Sequence, residues 1–142
     1  QIEAEIGIPF LHIADTTAAA VLDAGIRRIG LLGTAFTMEE PFYRERLEAR
    51  GIDVLVPNAE KRAGVHAVIY DELVHGIIRP ESREFYREVI DELAAEGAGG
   101  IVLGCTEIEL LVSAADSPVP VFPTTALHVD AALAAAGVGP TV

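Results

Sequence analysis

The single cysteine, Cys105, stands in the run Ile101-Val102-Leu103-Gly104-Cys105-Thr106-Glu107-Ile108. Ile101 to Leu103 reads as a buried strand closed by Gly104, and Glu107 to Val112 as a short helix. That spacing puts a thiol at a strand end and at the mouth of a helix. In open α/β sheets the ligand crevice lies at the carboxyl ends of the strands. Free backbone amides and the helix dipole are expected to lower the thiol pKa. The thiolate is the form that acts as a base or nucleophile. The competing reading is a small buried hydrophobe. The setting between Gly104 and Thr106 favours chemistry.

A second constellation is Gly33-Thr34-Ala35-Phe36-Thr37-Met38. Gly33 permits close backbone approach, and the hydroxyls of Thr34 and Thr37 stand at a predicted helix start, a setting that suits a carboxylate or phosphate. The run lacks the GxxxxGK[ST] of a P-loop. For Thr37 the structural alternative, an N-cap, is the stronger reading. In Thr124-Thr125-Ala126-Leu127-His128 the helical repeat places His128 one turn beyond the threonines, either to orient a substrate and move a proton or as a satisfied structural histidine. His12, His66 and His75 have no Cys or carboxylate at metal spacing, so no metal site is expected. Lys61 and Arg62 open a predicted helix. Such pairs are usually solvated, but an anionic substrate needs a cation near here. The acids and arginines of residues 81–96 read as a solvated helix face.

The elements that must hold these residues alternate. Strands are predicted at 8–13, 29–32, 52–56, 101–103 and 119–122. Asp15, Thr16 or Thr17 is expected to cap a helix stopped by Gly25, and Thr37 one that carries Pro41 near its start and ends before Gly51. Further helices fit 59–75 and 81–96, and Thr124 or Thr125 caps an alanine-rich one. This alternation is the pattern of an α/β fold with a parallel sheet.

The chain has 142 residues, 51% of them hydrophobic and 23% charged, which suits one globular domain with a real core. Ten basic against 22 acidic residues give a net charge of −12. Nucleic acid and anionic membrane surfaces are therefore poor partners, and any anion site must be built locally. No apolar run has membrane-spanning length, and no signal peptide is evident. One cysteine cannot close an internal disulfide, so a reducing cytoplasm is expected.

The chain echoes itself. A strand, Asp15-Thr16-Thr17 and an alanine-rich helix ending at Gly25 correspond to a strand, Pro123-Thr124-Thr125 and an alanine-rich helix ending at Gly137. Gly33-Thr34 likewise pairs with Gly104-Cys105-Thr106. Either a half is duplicated, with its first copy starting roughly 80 residues before Gln1, or βα units resemble one another by chance.

Together these residues resemble the aspartate/glutamate racemase family. The matching pieces are Pro9-Phe-Leu-His-Ile-Ala-Asp15, Gly30-Leu-Leu-Gly-Thr34 with Thr37-Met38, Ile69-Tyr-Asp-Glu-Leu73, Leu103-Gly-Cys-Thr-Glu-Ile108, and Pro120-Val-Phe122 followed by Thr124-Thr125. The resemblance runs along essentially the whole chain. It implies one flavodoxin-like, parallel-sheet lobe of a two-lobed, pseudo-twofold α/β fold. Residues 1–25 would be the tail of a missing first lobe, 26–122 a three-layer second lobe, and 123–142 a helix returning toward the first. It implies no cofactor and an acidic amino acid as substrate. In the family two cysteines face the α-carbon from opposite sides, one removing the proton while the other delivers one. Cys105 matches the second. Thr106 and Glu107 match the residues beside it, and Thr34 lies on the substrate-binding strand end. The half carrying the first cysteine is absent. Pro123 stands where the family usually has Asp, and Lys61 or Arg62 is the candidate for the substrate-binding cation.

The leading expectation is a cofactor-independent aspartate/glutamate-type racemase, of which this chain is a poorly active fragment, with Cys105 and His128 as candidate acid/base groups. The alternatives are a one-thiol decarboxylase or isomerase of the same superfamily, and a non-catalytic α/β fragment that binds a ligand. Self-association into a homo-oligomer is expected, because a lobe without its partner exposes apolar surface.

Overall fold

A computed structural model of the chain describes residues 14–39 and 41–123. Helical backbone over residues 14–23 (α1) leads into β1 (Arg28–Leu32), α2 (Ala35–Glu39), α3 (Pro41–Glu48), β2 (Asp53–Leu55) and α4 (Ala59–Asp71). There follow α5 (Pro80–Ala95), β3 (Gly100–Leu103) and β4 (Val121–Pro123), with 3₁₀ turns at Leu73–His75, Thr106–Leu110 and Ala114–Asp116.

The described strands form one sheet in the order β2-β1-β3-β4, and every pair is parallel. This is the α/β fold expected, with the order of the doubly wound flavodoxin-like arrangement. The register pairs Leu32 with Leu103, and the Gly104 N–H donates to the Leu32 carbonyl at 2.7 Å. Gly33-Thr34 and Gly104-Cys105 therefore leave the sheet side by side.

Strand alternation splits the core between two faces. On one face Ile29, Leu31, Val54 and Val102 pack with Ala18 of α1 and Leu47 of α3. On the other, Leu32, Ile101 and Leu103 pack with Val65 and Ile69 of α4 and Ile90 and Leu93 of α5. Helix α5 comes close enough to need a glycine: a Cβ on Gly30 would stand 2.8 Å from Leu93 Cδ1. Each large apolar side chain so buried contributes about 1.5–3 kcal/mol, against roughly 0–1 kcal/mol for an exposed ion pair such as Arg28–Asp53. The two apolar layers, not the surface charges, hold the sheet.

Several predicted boundaries move. Asp15, Thr16 and Thr17 lie within helical backbone and do not cap it. Asp15 instead pairs with Arg46 of α3 and Arg50 in the turn after it, and buried Thr17 lies 3.4 Å from the Tyr43 hydroxyl. The helix expected after Gly33 is two, with Pro41 first in α3, where its missing N–H costs nothing. Thr37 is not a cap: α2 starts at Ala35, and Thr34 Oγ1 accepts from the Thr37 N–H at 3.4 Å. The helix predicted over 59–75 stops at Asp71. Glu72 leaves helical geometry at φ −124°, and Gly76, at φ +75°, closes the 3₁₀ turn. The last described strand begins two residues later than expected. Ser117 Oγ donates to the Val119 carbonyl and accepts its N–H, which takes Val119 out of the ladder. The strand predicted at 8–13 and the alanine-rich helix after Pro123 lie outside the described residues. Among the described residues no helix is long and apolar enough to cross a membrane.

Candidate active site

The site grows from the adjacent ends of β1 and β3. Thr37 is the hinge between them. A Cβ on Gly33 would stand 3.1 Å from Thr37 Cβ, and one on Gly104 would stand 2.9 Å from Thr37 Cγ2. The hydroxyls of Thr34 and Thr37 are 3.3 Å apart. Two glycines thus let a threonine-bearing turn close onto the strand end that delivers Cys105.

Cys105 has extended backbone (φ −144°, ψ 130°) and is half-buried against the core under α5. Its thiol donates to Glu107 Oε1 at 2.9 Å. Thr106, on the same turn, is exposed. Burial pushes the thiol up to about 11, with the Glu107 hydrogen bond as the next contribution. The expected lowering is corrected. The element after Cys105 is a five-residue 3₁₀ turn, not an α-helix with a developed dipole, and its first turn carries Glu107 and Glu109. Buried Tyr86 is nearby. Its hydroxyl donates to the Val65 carbonyl at 2.7 Å, and its phenol is raised above its ordinary range by burial first and then by Cys105.

The structure brings Thr34, Thr37, Cys105, Thr106 and Glu107 to one end of the sheet. Lys61 and Arg62 are each tied to another part of the chain. Asn58 caps α4 by accepting from the Lys61 N–H at 2.9 Å, and the Lys61 ammonium is held by Glu92, near the end of α5 that feeds the start of β3. Arg62 pairs with Glu39 and donates to the Pro57 carbonyl at 2.8 Å. Both cations are therefore engaged by the chain itself. Thr124, Thr125 and His128 lie outside the described residues. Among the described residues no group of three or more His, Cys, Asp or Glu could hold a metal ion.

One neighbour of the site escaped sequence reasoning. His66 of α4 reaches across to α2, where its Nδ1 accepts from the Ala35 N–H at 2.8 Å. It thereby grips the peptide joining Thr34 to α2. The two residues are 31 positions apart, and no local pattern announces their contact.

The model of the Asp/Glu/hydantoin racemase family matches residues 1–132. The chain belongs to that family. It is 31% identical over 102 residues, 72% of its length, to an uncharacterized protein of the pnlA 3′ region of Pectobacterium carotovorum subsp. carotovorum, covering 67% of that relative. Its fold superposes on a Yersinia pestis protein assigned as an Asp/Glu racemase with a TM-score of 0.86 and 54% identity. An aspartate racemase homologue from Pyrococcus horikoshii gives a TM-score of 0.82 and 34% identity. These superpositions cover 89% and 88% of this racemase-family chain but 55% of each solved chain, so it spans little more than half their length.

Proposed function

We propose that this chain carries one acid/base half of a cofactor-independent racemase for an acidic amino acid, aspartate or glutamate, and that Cys105 is the group that moves the α-proton. One observation carries the reading: a half-buried thiol, hydrogen-bonded to a carboxylate, stands at a central strand end beside two threonine hydroxyls in a racemase-family chain. With its pKa raised, Cys105 rests as the thiol and serves as the acid. Its S–H bond breaks as a C–H bond forms at the planar α-carbon, leaving thiolate. In the reverse direction the thiolate takes the α-hydrogen, and the electron pair passes into the substrate carboxylate. Glu107 holds the thiol proton until the S–H turns to the α-carbon. Thr34, Thr37 and Thr106 supply hydroxyl donors for the substrate. Inversion also needs a group on the opposite face, where the family uses a second cysteine. Cys105 is this chain's only one. The described sheet is then one lobe of a two-lobed enzyme, and a free-thiol mechanism fits the reducing cytoplasm.

The test is incubation of the chain in D₂O with each enantiomer of aspartate and glutamate, followed by mass spectrometry and chiral chromatography. Deuterium is expected at the α-carbon, with slow conversion to the other enantiomer, and both should vanish in Cys105→Ser. Exchange that survives Cys105→Ser, or no exchange with any acidic amino acid, would overturn the reading. The single protonated thiol favours a second one, a decarboxylase that protonates one face, whose signature is CO₂ release with a single enantiomeric product.

A further inference from the structure

An acidic substrate needs a donor for its carboxylate, in a chain of net charge −12 whose candidate cations Lys61 and Arg62 are held by Glu92 and Glu39. His66 touches the turn that carries Thr34. Its Nδ1 accepts the Ala35 N–H, so in the neutral ring the proton sits on Nε2. The ring packs on Tyr70, one helical turn along α4, with centroids 4.6 Å apart. Half-exposed Tyr70 and Phe36, which follows Ala35, are large apolar side chains left open to solvent near this contact. The imidazole is thus fixed in orientation and tautomer by one hydrogen bond and one tilted ring contact, with the planes 37° apart. Nε2–H has no hydrogen-bond partner among the described residues.

We propose that His66 is a substrate-binding residue whose Nε2–H donates to a carboxylate of the acidic amino acid, an inference that rests on the reading of the Cys105 site as an amino-acid site. The neutral donor takes the place of the cation that sequence reasoning sought at Lys61 or Arg62. Its grip on the Thr34–Ala35 peptide couples carboxylate binding to the position of the Thr34 hydroxyl.

Two variants separate binding from structure. In His66→Asn the shorter amide oxygen lies near the Nδ1 position and keeps an acceptor for the Ala35 N–H, while the Nε2 donor is lost. In His66→Gln the amide reaches the Nε2 position, and the Ala35 contact is lost. The probe is L-aspartate titrated into the chain and followed by backbone amide shifts. His66→Asn should melt close to the wild type yet bind roughly 10- to 100-fold more weakly, as expected for loss of one hydrogen bond to a charged group. His66→Gln should melt lower but bind more tightly than His66→Asn. Wild-type imidazole ¹⁵N shifts give a readout independent of variant folding: Nε2 should move on adding aspartate while Nδ1 stays unprotonated. Equal affinity in His66→Asn, or an unmoved Nε2, would overturn the role of His66 alone. Failure of the wild type to bind either acidic amino acid would overturn it together with the racemase reading.

Discussion

Gly104 and Thr37 touch so closely that a methyl group on Gly104 would stand 2.9 Å from Thr37 Cγ2, with the Leu32 carbonyl oxygen 3.2 Å away. The contact joins the β1 turn to the strand that carries Cys105. Gly104→Ala should destabilise the chain by about 1–3 kcal/mol, as overpacking does. Thr37→Ser, which removes Cγ2, should recover part of the loss when the two are combined. Urea unfolding of the four proteins measures both effects. Strictly additive costs would refute the contact.

Cys105 should be slow to alkylate at neutral pH. Its thiol is raised from 9.0 to about 11, so the iodoacetamide rate should still be climbing at a pH where a free thiol has levelled off. Glu107→Gln removes the carboxylate that favours the protonated form and should bring the midpoint down. Below the unfolded thiol's pKa its contribution to stability is complete, and it is lost as pH rises toward about 11. An alkylation midpoint at or below about 8.5 would contradict the burial argument.

Asp116 is held below its ordinary range by the Ser113 backbone N–H first and then by Arg87, which stands 2.7 Å away. A lowered carboxylate stabilises the fold above its unfolded pKa, near 4, and loses that contribution as pH falls through the folded value. Asp116→Asn keeps a side-chain acceptor but loses the charge. It should cost roughly 0.2–1 kcal/mol at pH 7, the range of a surface ion pair, and less below pH 3. Thermal melts at both pH values check this; equal costs would remove the electrostatic part.

Tyr86 is fully buried and donates to the Val65 carbonyl. Tyr86→Phe should cost about 1–2 kcal/mol through the lost hydrogen bond, with the ring packing retained. A neutral result in denaturant titration would show that the carbonyl finds another donor.

Val74, Ile77 and Ile78 lie exposed between α4 and α5, and Leu110 is exposed on the turn that packs against residues 73–75. With Phe36 and Tyr70 they are the large apolar side chains left open among the described residues, and open apolar surface favours association. Sedimentation should detect dimers or larger species as concentration rises, and Val74→Glu with Leu110→Glu should reduce them. A strictly monomeric wild type would count against this.

The sequence by itself determined the alternation of strands and helices and the parallel sheet. The apolar runs at 29–32 and 101–103 are short and bounded by glycine, and runs of that kind are stable only when covered on both faces. It also determined that Thr34 and Cys105 stand at strand ends, because both follow a glycine that closes a buried strand. Tertiary structure decided what those residues experience. The thiol rises where the sequence suggested it would fall, because burial and a turn too short to carry a dipole outweigh the amides that local reasoning counted. Lys61 and Arg62 find Glu92 and Glu39 through helix packing, and His66 finds Ala35 by the same means. Periodicity reports which face of an element is buried. It carries no record of which distant side chain that face will meet, and burial, charge pairing and tautomer are properties of those meetings.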